Sequence, residues 1–230
     1  MVERILTVAD IVVAIPVSEL LVVCEPAMFL NEVERAKAER FHKMEDSLRY
    51  QAAHVLKRLL IGAAVGKDAV DLNFSRAAGG KPIVLDCGSL DFNLSHGGDW
   101  VAVALSRSGS IGVDVESERE DDVWRQIASA FLAPKEANNV EFLKLWTAKE
   151  AAVKANGAGL AIPLTDVVID TEGSEIFIAT LPTESLSGEW RQLDTTHVLA
   201  VATDTNIPTI CVCSSVSILK HTLTEFNFLR

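Results

Sequence analysis

The segment Ile111-Gly112-Val113-Asp114-Val115-Glu116 constrains this chain more than any other. Strand geometry with its period of two turns Ile111, Val113 and Val115 to one face and Asp114 and Glu116 to the other. The apolar face needs a core, while the two carboxylates repel one another unless a cation, a basic side chain or water compensates them. Oxygen ligands alone suit Mg²⁺, which keeps several waters and binds through one or two carboxylates plus a substrate phosphate. The same pair also fits a solvated strand end running into the charged stretch Glu116-Ser117-Glu118-Arg119-Glu120-Asp121-Asp122, and the pair alone does not separate these readings.

Composition narrows the functional classes. The 230 residues are 49% hydrophobic and 23% charged, ample for a core and unlike a disordered chain. A formal net charge of −11 argues against a nucleic-acid surface, which needs clustered Lys and Arg. It would also repel an acidic macromolecule at long range. Cys24, Cys87, Cys211 and Cys213 show no CxxC or zinc-ligand spacing and read as buried, reduced thiols. The apolar stretch Val8–Val23 is interrupted by Asp10, Pro16 and Glu19, so it is not expected to be a signal peptide. No run reaches the roughly 18 uncharged apolar residues of a membrane span. A soluble, cytoplasmic protein is expected.

Segments rich in Val and Ile predict strands at Ile11–Ile15, Ile83–Leu85, Trp100–Leu105, Ile111–Val115, Val167–Ile169, Ile176–Ala179, Val198–Ala202 and Thr209–Cys213. Helical patterns cover about Phe29–Val65, broken near Met44–Ser47, then Val123–Ala130 and Pro134–Asn156. The turn Arg107-Ser108-Gly109-Ser110 divides the chain nearly in half, and each half runs strand, helices, then strands. The expected class is therefore α+β, with two comparable subdomains at residues 1–108 and 109–230. The cleft between them is a natural ligand site.

Three more groups of residues carry possible chemistry. Glu150 and Lys154 lie four apart on one helix face with Trp146 a turn earlier, while Lys149 points elsewhere. They read either as a surface ion pair or, given the small and apolar residues around them, as a cleft wall. Phe92-Asn93-Leu94-Ser95-His96-Gly97-Gly98 ends a strand in a glycine loop whose hydroxyl, ring and N–H groups could receive an anion, although a lone His is commonly structural. Gly79-Gly80-Lys81-Pro82 is no Walker loop, only a turn presenting one lysine. Arg49 lies on the helical stretch Met44–Leu60, where a solvated basic face is the plain reading.

Taken together and in this order, these elements resemble the surfactin-type (group II) 4′-phosphopantetheinyl transferases over about Phe41–Cys213. Trp146-Thr147-Ala148-Lys149-Glu150-Ala151 resembles their Trp-x-x-Lys-Glu-Ala subgroup, and Gly157-Ala158-Gly159-Leu160 fits the same pattern. The resemblance implies a pseudo-dimer of two fused α+β halves with its active site in the cleft between them. Residues 1–108 would serve the 3′-phosphate and adenine side of coenzyme A, and 109–230 the Mg²⁺ and catalytic side. Asp114, Glu116 and Glu150 would hold Mg²⁺, Lys154 the pyrophosphate, and His96, Arg49, Ser95 and Lys81 the 3′-phosphate and adenine end. Glu136 matches a further acidic position near the metal, and Arg35, Lys37 and Arg40 are the upstream cations available for the 3′-phosphate.

The implied reaction moves phosphopantetheine from coenzyme A to a serine of an apo acyl or peptidyl carrier protein and releases 3′,5′-ADP, with Glu150 as the candidate base. No nucleic-acid or membrane partner is expected, and a fused pseudo-dimer is expected to be a monomer. Because carriers of this kind are acidic, docking should rest on an apolar patch, for which Trp124, Ile127, Phe131 and Leu132 are candidates unless they are core. A coenzyme A- or carrier-binding module without catalysis and a Mg²⁺-dependent phosphohydrolase of coenzyme A are the alternatives.

Overall fold

The computed structural model describes residues 10–136, 141–171 and 175–225. It starts with strand β1 (Ile11–Pro16) and helices α1 (Val17–Leu21), α2 (Glu32–Ala38) and α3 (Met44–Val65). Strands β2 (Phe74–Arg76) and β3 (Pro82–Val84) pair as a small hairpin before β4 (Asp91–Gly97), β5 (Trp100–Ser106) and β6 (Ile111–Ser117). Helices α4 (Asp121–Ile127) and α5 (Phe142–Asn156) follow. The chain then runs through β7 (Val168–Thr171), β8 (Ile176–Thr180), β9 (Ser185–Gln192), β10 (His197–Thr203), β11 (Thr209–Val212) and α6 (Val216–Glu225).

Two sheets result, ordered β11-β1-β5-β4 and β6-β10-β9-β8-β7. Their pairings are antiparallel except that of β1 with β11, which is parallel and returns the chain to the sheet in which it began. Period-two burial sets the layers. Ile11, Val13, Ile15, Val101, Val103 and Leu105 meet Leu56 and Leu60 of α3. Val198, Ala200 and Ala202 meet Ala148, Ala151, Ala152 and Ala155 of α5. The inner faces close on one another through Val12, Ala14, Ala102 and Ala104 against Ile111, Val113, Val115, Leu199 and Val201. The order is thus helix, sheet, sheet, helix, an α+β fold of two similar helix-on-sheet units.

Several expected boundaries move. The break in the first helical block falls at residues 39–43, because Ser47 already lies inside α3 and its hydroxyl donates to the Ala38 carbonyl across the gap (2.8 Å). Within the expected helix Pro134–Asn156, Pro134–Glu136 is a 3-10 turn, residues 137–140 lie outside the described residues, and the α-helix starts at Phe142. No helix among the described residues is long and apolar enough to cross a membrane.

The sheets are joined where β4 runs beside β6. Asp91, Asn93 and Ser95 alternate along β4 and face β6, while Phe92 and Leu94 face the α3 core. Asp91 Oδ2 accepts the Ile111 N–H (2.8 Å), Asn93 Oδ1 the Val113 N–H (3.1 Å) and Ser95 Oγ the Val115 N–H (3.3 Å). Side chains thereby take the place of a main-chain ladder, and buried N–H groups that would lack partners are satisfied. Asn93→Leu leaves the Val113 N–H buried without an acceptor and is expected to lower the unfolding free energy by about 1–3 kcal/mol in urea titration.

A second buried polar cluster fixes α2 on α3. The Glu34 carboxylate accepts from Lys57 Nζ (2.7 Å) and Arg58 Nε (2.6 Å) and meets His54 Nδ1 (2.9 Å). Burial pushes this carboxyl up, yet the hydrogen bonds from His54, Lys57 and Arg58 and the charge of Lys57 together hold it well below the ordinary range. A depressed carboxyl contributes stability above its unfolded pKa and loses it as pH falls below that value. Glu34→Gln is therefore expected to cost about 3–5 kcal/mol near neutrality, since two cations stay buried. Denaturation measured at successive pH values should show a shallower acid limb than the parent.

Candidate active site

Strand β6 and helix α5 bring the predicted residues together. Gly112, Asp114 and Glu116 turn toward α5, whose Trp146, Glu150 and Lys154 recur every fourth residue on one face. Gly112 sets the spacing between them: a Cβ there would stand 2.1 Å from the Ala151 carbonyl oxygen and 2.3 Å from the Ala155 nitrogen. Only a residue without a side chain admits the helix this close to the strand.

Asp114 is buried, and its Oδ1 accepts from Lys154 Nζ (2.5 Å) and Ser95 Oγ (2.8 Å). Its Oδ2 is buried without a hydrogen-bond partner among the described residues. Glu116 accepts from Trp146 Nε1 (3.0 Å) and from the Arg119 guanidinium (3.0 Å), which lies over the Trp124 ring. Burial pushes the Glu116 carboxyl up, the Asp114 charge adds to this, and Arg119 and Trp146 pull against it. Burial likewise pushes Glu150 up; Lys154 opposes the shift and the charges of Asp114 and Glu116 reinforce it.

Three carboxylates thus share one wall, and burial with the neighbouring charges raises Glu116 and Glu150. Among the described residues, no three His, Cys, Asp or Glu side chains gather at metal-ligating spacing. Asp114 is engaged by Lys154, and Glu116 by Trp146 and Arg119. The donor set is nevertheless all oxygen and anionic, with one buried carboxylate oxygen lacking a partner, and these properties fit a hard divalent cation.

The loop residues occupy an adjoining position. Ser95 Oγ lies within hydrogen-bond reach of Asp114, Lys154 Nζ (3.2 Å) and the Val115 N–H, so it links β4 to the carboxylate wall. His96 keeps an exposed surface, while partial desolvation and the charges of Lys154 and Arg49 push its imidazole down. Arg49 donates to the Gly98 carbonyl (3.1 Å) and pairs with Asp46. With Val17, Leu21, Val22 and Leu48 it also lines a groove of about 520 Å³.

The Lys81 ammonium donates to Asp91 (2.5 Å), the Ile111 carbonyl (3.0 Å) and the Ala155 carbonyl (3.2 Å), capping the end of α5. Glu136 is the further acidic position that the resemblance singles out. It is buried against Lys149 (2.5 Å), and the same ammonium donates to the carbonyls of Phe131, Leu164 and Val167. That pair anchors the 131–136 turn to α5 beside the wall, where Phe131 packs edge to face on Trp146. Trp124 and Phe131 are core residues, packed edge to face. Arg119 was not singled out by its sequence; three residues beyond Glu116 in a charged stretch, it carries no signal apart from that spacing.

Comparison with known proteins agrees with this geometry. A model described as the N-terminal part of 4′-phosphopantetheinyl transferase matches residues 22–108, and one for the 4′-phosphopantetheinyl transferase superfamily matches 110–202. HetI, a 4′-phosphopantetheinyl transferase of a Nostoc species, is 31% identical over 171 residues, covering 69% of this chain and 68% of its own. The chain belongs to the 4′-phosphopantetheinyl transferase superfamily. Among individual members it is also similar to Sfp of Bacillus subtilis (33% identical; 59% of this chain, 64% of Sfp). AcpT of Salmonella typhimurium is 40% identical over 55% of this chain, and the chain spans 64% of AcpT.

Gly112→Ala would force α5 away from β6, an overpacking expected to destabilise by about 1–3 kcal/mol in chemical denaturation. Because Trp146 is bonded to Glu116, its fluorescence should change in the folded variant as well.

Proposed function

We propose that this chain transfers the 4′-phosphopantetheine group of coenzyme A to a serine hydroxyl of an apo acyl or peptidyl carrier protein, releasing 3′,5′-ADP. The observation that carries the reading is the wall formed by Asp114, Glu116 and Glu150 with Lys154 at its edge, in a chain of this superfamily. The motif Trp146-Thr147-Ala148-Lys149-Glu150-Ala151 supports the surfactin-type subgroup.

Asp114, Glu116 and Glu150 would hold Mg²⁺, as their oxygen-only donors and the unpartnered Asp114 Oδ2 favour. When bound, the ion supplies positive charge to the coenzyme A pyrophosphate. Lys154 adds its ammonium to the same phosphates and gives up Asp114 as its partner when they arrive. Glu150 accepts the serine proton during attack, a task helped by burial raising its carboxyl toward the working pH. His96, Arg49 and the Ser95 loop receive the 3′-phosphate and adenine end.

In this reading residues 1–108 serve the nucleotide side and 109–230 the metal and catalytic side. Both sides come from one chain, so a monomer suffices. Carrier recognition rests on local contacts, because a net charge of −11 opposes long-range attraction of an acidic partner.

Incubation with coenzyme A, Mg²⁺ and apo carrier should add about 340 Da to the carrier, the mass of the transferred arm. Release of 3′,5′-ADP without a mass gain would favour a phosphohydrolase, and coenzyme A binding with neither product would favour a binding module. Glu150→Gln is expected to lower turnover by at least about 10²-fold with a much smaller change in coenzyme A affinity. Comparable losses in both would remove Glu150 as the base.

A further inference from the structure

One buried polar group of this chain takes no part in the chemistry above. His197 opens β10 opposite Ser117 of β6, and its Nδ1 lies 2.9 Å from both oxygens of Asp194. Asp194 is itself fixed by the turn it occupies: Oδ1 accepts the N–H groups of Thr196 (2.8 Å) and His197 (2.9 Å) and the Thr196 hydroxyl (3.1 Å). Its Oδ2 accepts the indole N–H of Trp100 (2.7 Å), the first residue of β5. The dyad therefore spans the junction between the two sheets.

The other ring nitrogen is the informative atom. His197 Nε2 is buried without a hydrogen-bond partner among the described residues. A Cβ built on Gly98, whose φ is +52°, would stand 2.0 Å from it. One α-hydrogen of Gly98 therefore points at Nε2. With the Nδ1 proton donated to Asp194, Nε2 presents a lone pair to that C–H, a weak but directional contact.

Gly98 is also the residue whose carbonyl holds Arg49, and Gly97 beside it rests on the Val115 carbonyl, where a Cβ would come within 2.2 Å. The turn after His96 is thus gripped by β6 at Gly97, by the imidazole beneath Gly98 and by the guanidinium at its carbonyl. We propose that Asp194 and His197 are positioning residues for the coenzyme A end of the site, acting through the Gly97–Gly98 turn on Arg49 and His96. The proposal rests on the coenzyme A reading given above. Neither residue touches substrate; each sets where the residues that do so stand.

The test is a double-mutant cycle on coenzyme A binding by calorimetry, with folding checked by circular dichroism. His197→Ala and the milder Asp194→Asn are each expected to raise the coenzyme A Kd and KM by about tenfold, as for supporting residues behind binding ligands, with kcat changed less than twofold. Combining His197→Ala with Arg49→Ala should weaken binding by less than the product of the two single effects, the remainder acting through His96. Wild-type affinity in folded His197→Ala and Asp194→Asn variants, or full additivity with Arg49→Ala, overturns the proposal.

A second cycle uses stability alone and separates failure of this inference from failure of the functional reading. Gly98→Ala drives a methyl group into the imidazole, and His197→Ala opens room for it. The double variant should therefore be destabilised less than the sum of the singles. Additive losses there overturn the buttress even if the parent protein proves not to bind coenzyme A.

Discussion

Everything in this molecule hangs on the side-chain bridge from β4 to β6. Two sheets that meet edge to edge leave N–H groups facing an apolar junction, and a buried N–H without an acceptor costs about as much as a lost hydrogen bond. Asp91, Asn93 and Ser95 remove that cost at Ile111, Val113 and Val115, one acceptor for every second residue. The period that matches the three acceptors to the three donors also sends Asp114 and Glu116 to the opposite face. Register at the junction and composition of the carboxylate wall are one constraint.

The wall inherits its precision from that arrangement. Ser95 belongs both to the bridge and to the Asp114 carboxylate, so the first unit is locked to the second at an acidic side chain. Gly112 admits α5, Lys81 ties the end of that helix to Asp91 and Ile111, and Lys149 clamps it to the 131–136 turn. Glu150 and Lys154 sit between these fixings. Two lysines thereby hold the helix that carries them.

Much of this was legible in the sequence, and what was not has physical causes. The apolar alternation of Ile111–Glu116 and the fourfold spacing of Trp146, Glu150 and Lys154 specify a strand face and a helix face directly, and the folded chain sets them together. Strand β9 escaped notice because Ser185, Ser187, Glu189 and Arg191 mask the alternation of Leu186 and Trp190. Its central Gly188 looks like a breaker, although a Cβ there would strike the Phe177 ring at 2.1 Å. Helix α6 is amphipathic but only 10 residues long, too short a run to stand out in its sequence. The contacts of Lys81 and Glu136 depend on groups supplied by distant segments, the Ala155 carbonyl for the lysine and the Ile169 N–H for the carboxylate, which no local spacing announces. Trp124 and Phe131 were ambiguous between surface and core for the same reason.

The parallel pairing of β1 with β11 has a consequence for how the chain is made. Its first strand in the described residues and its last lie side by side, nearly two hundred residues apart in sequence. While the ribosome is still working, the sheet that carries Ser95 and His96 stands with the β1 edge bare, an invitation to any passing strand. The other sheet likewise needs β10 to reach back to β6. Completion of the sheet that carries Ser95 and His96 therefore waits on β11, and the long loop closure it needs is of the kind that slows folding.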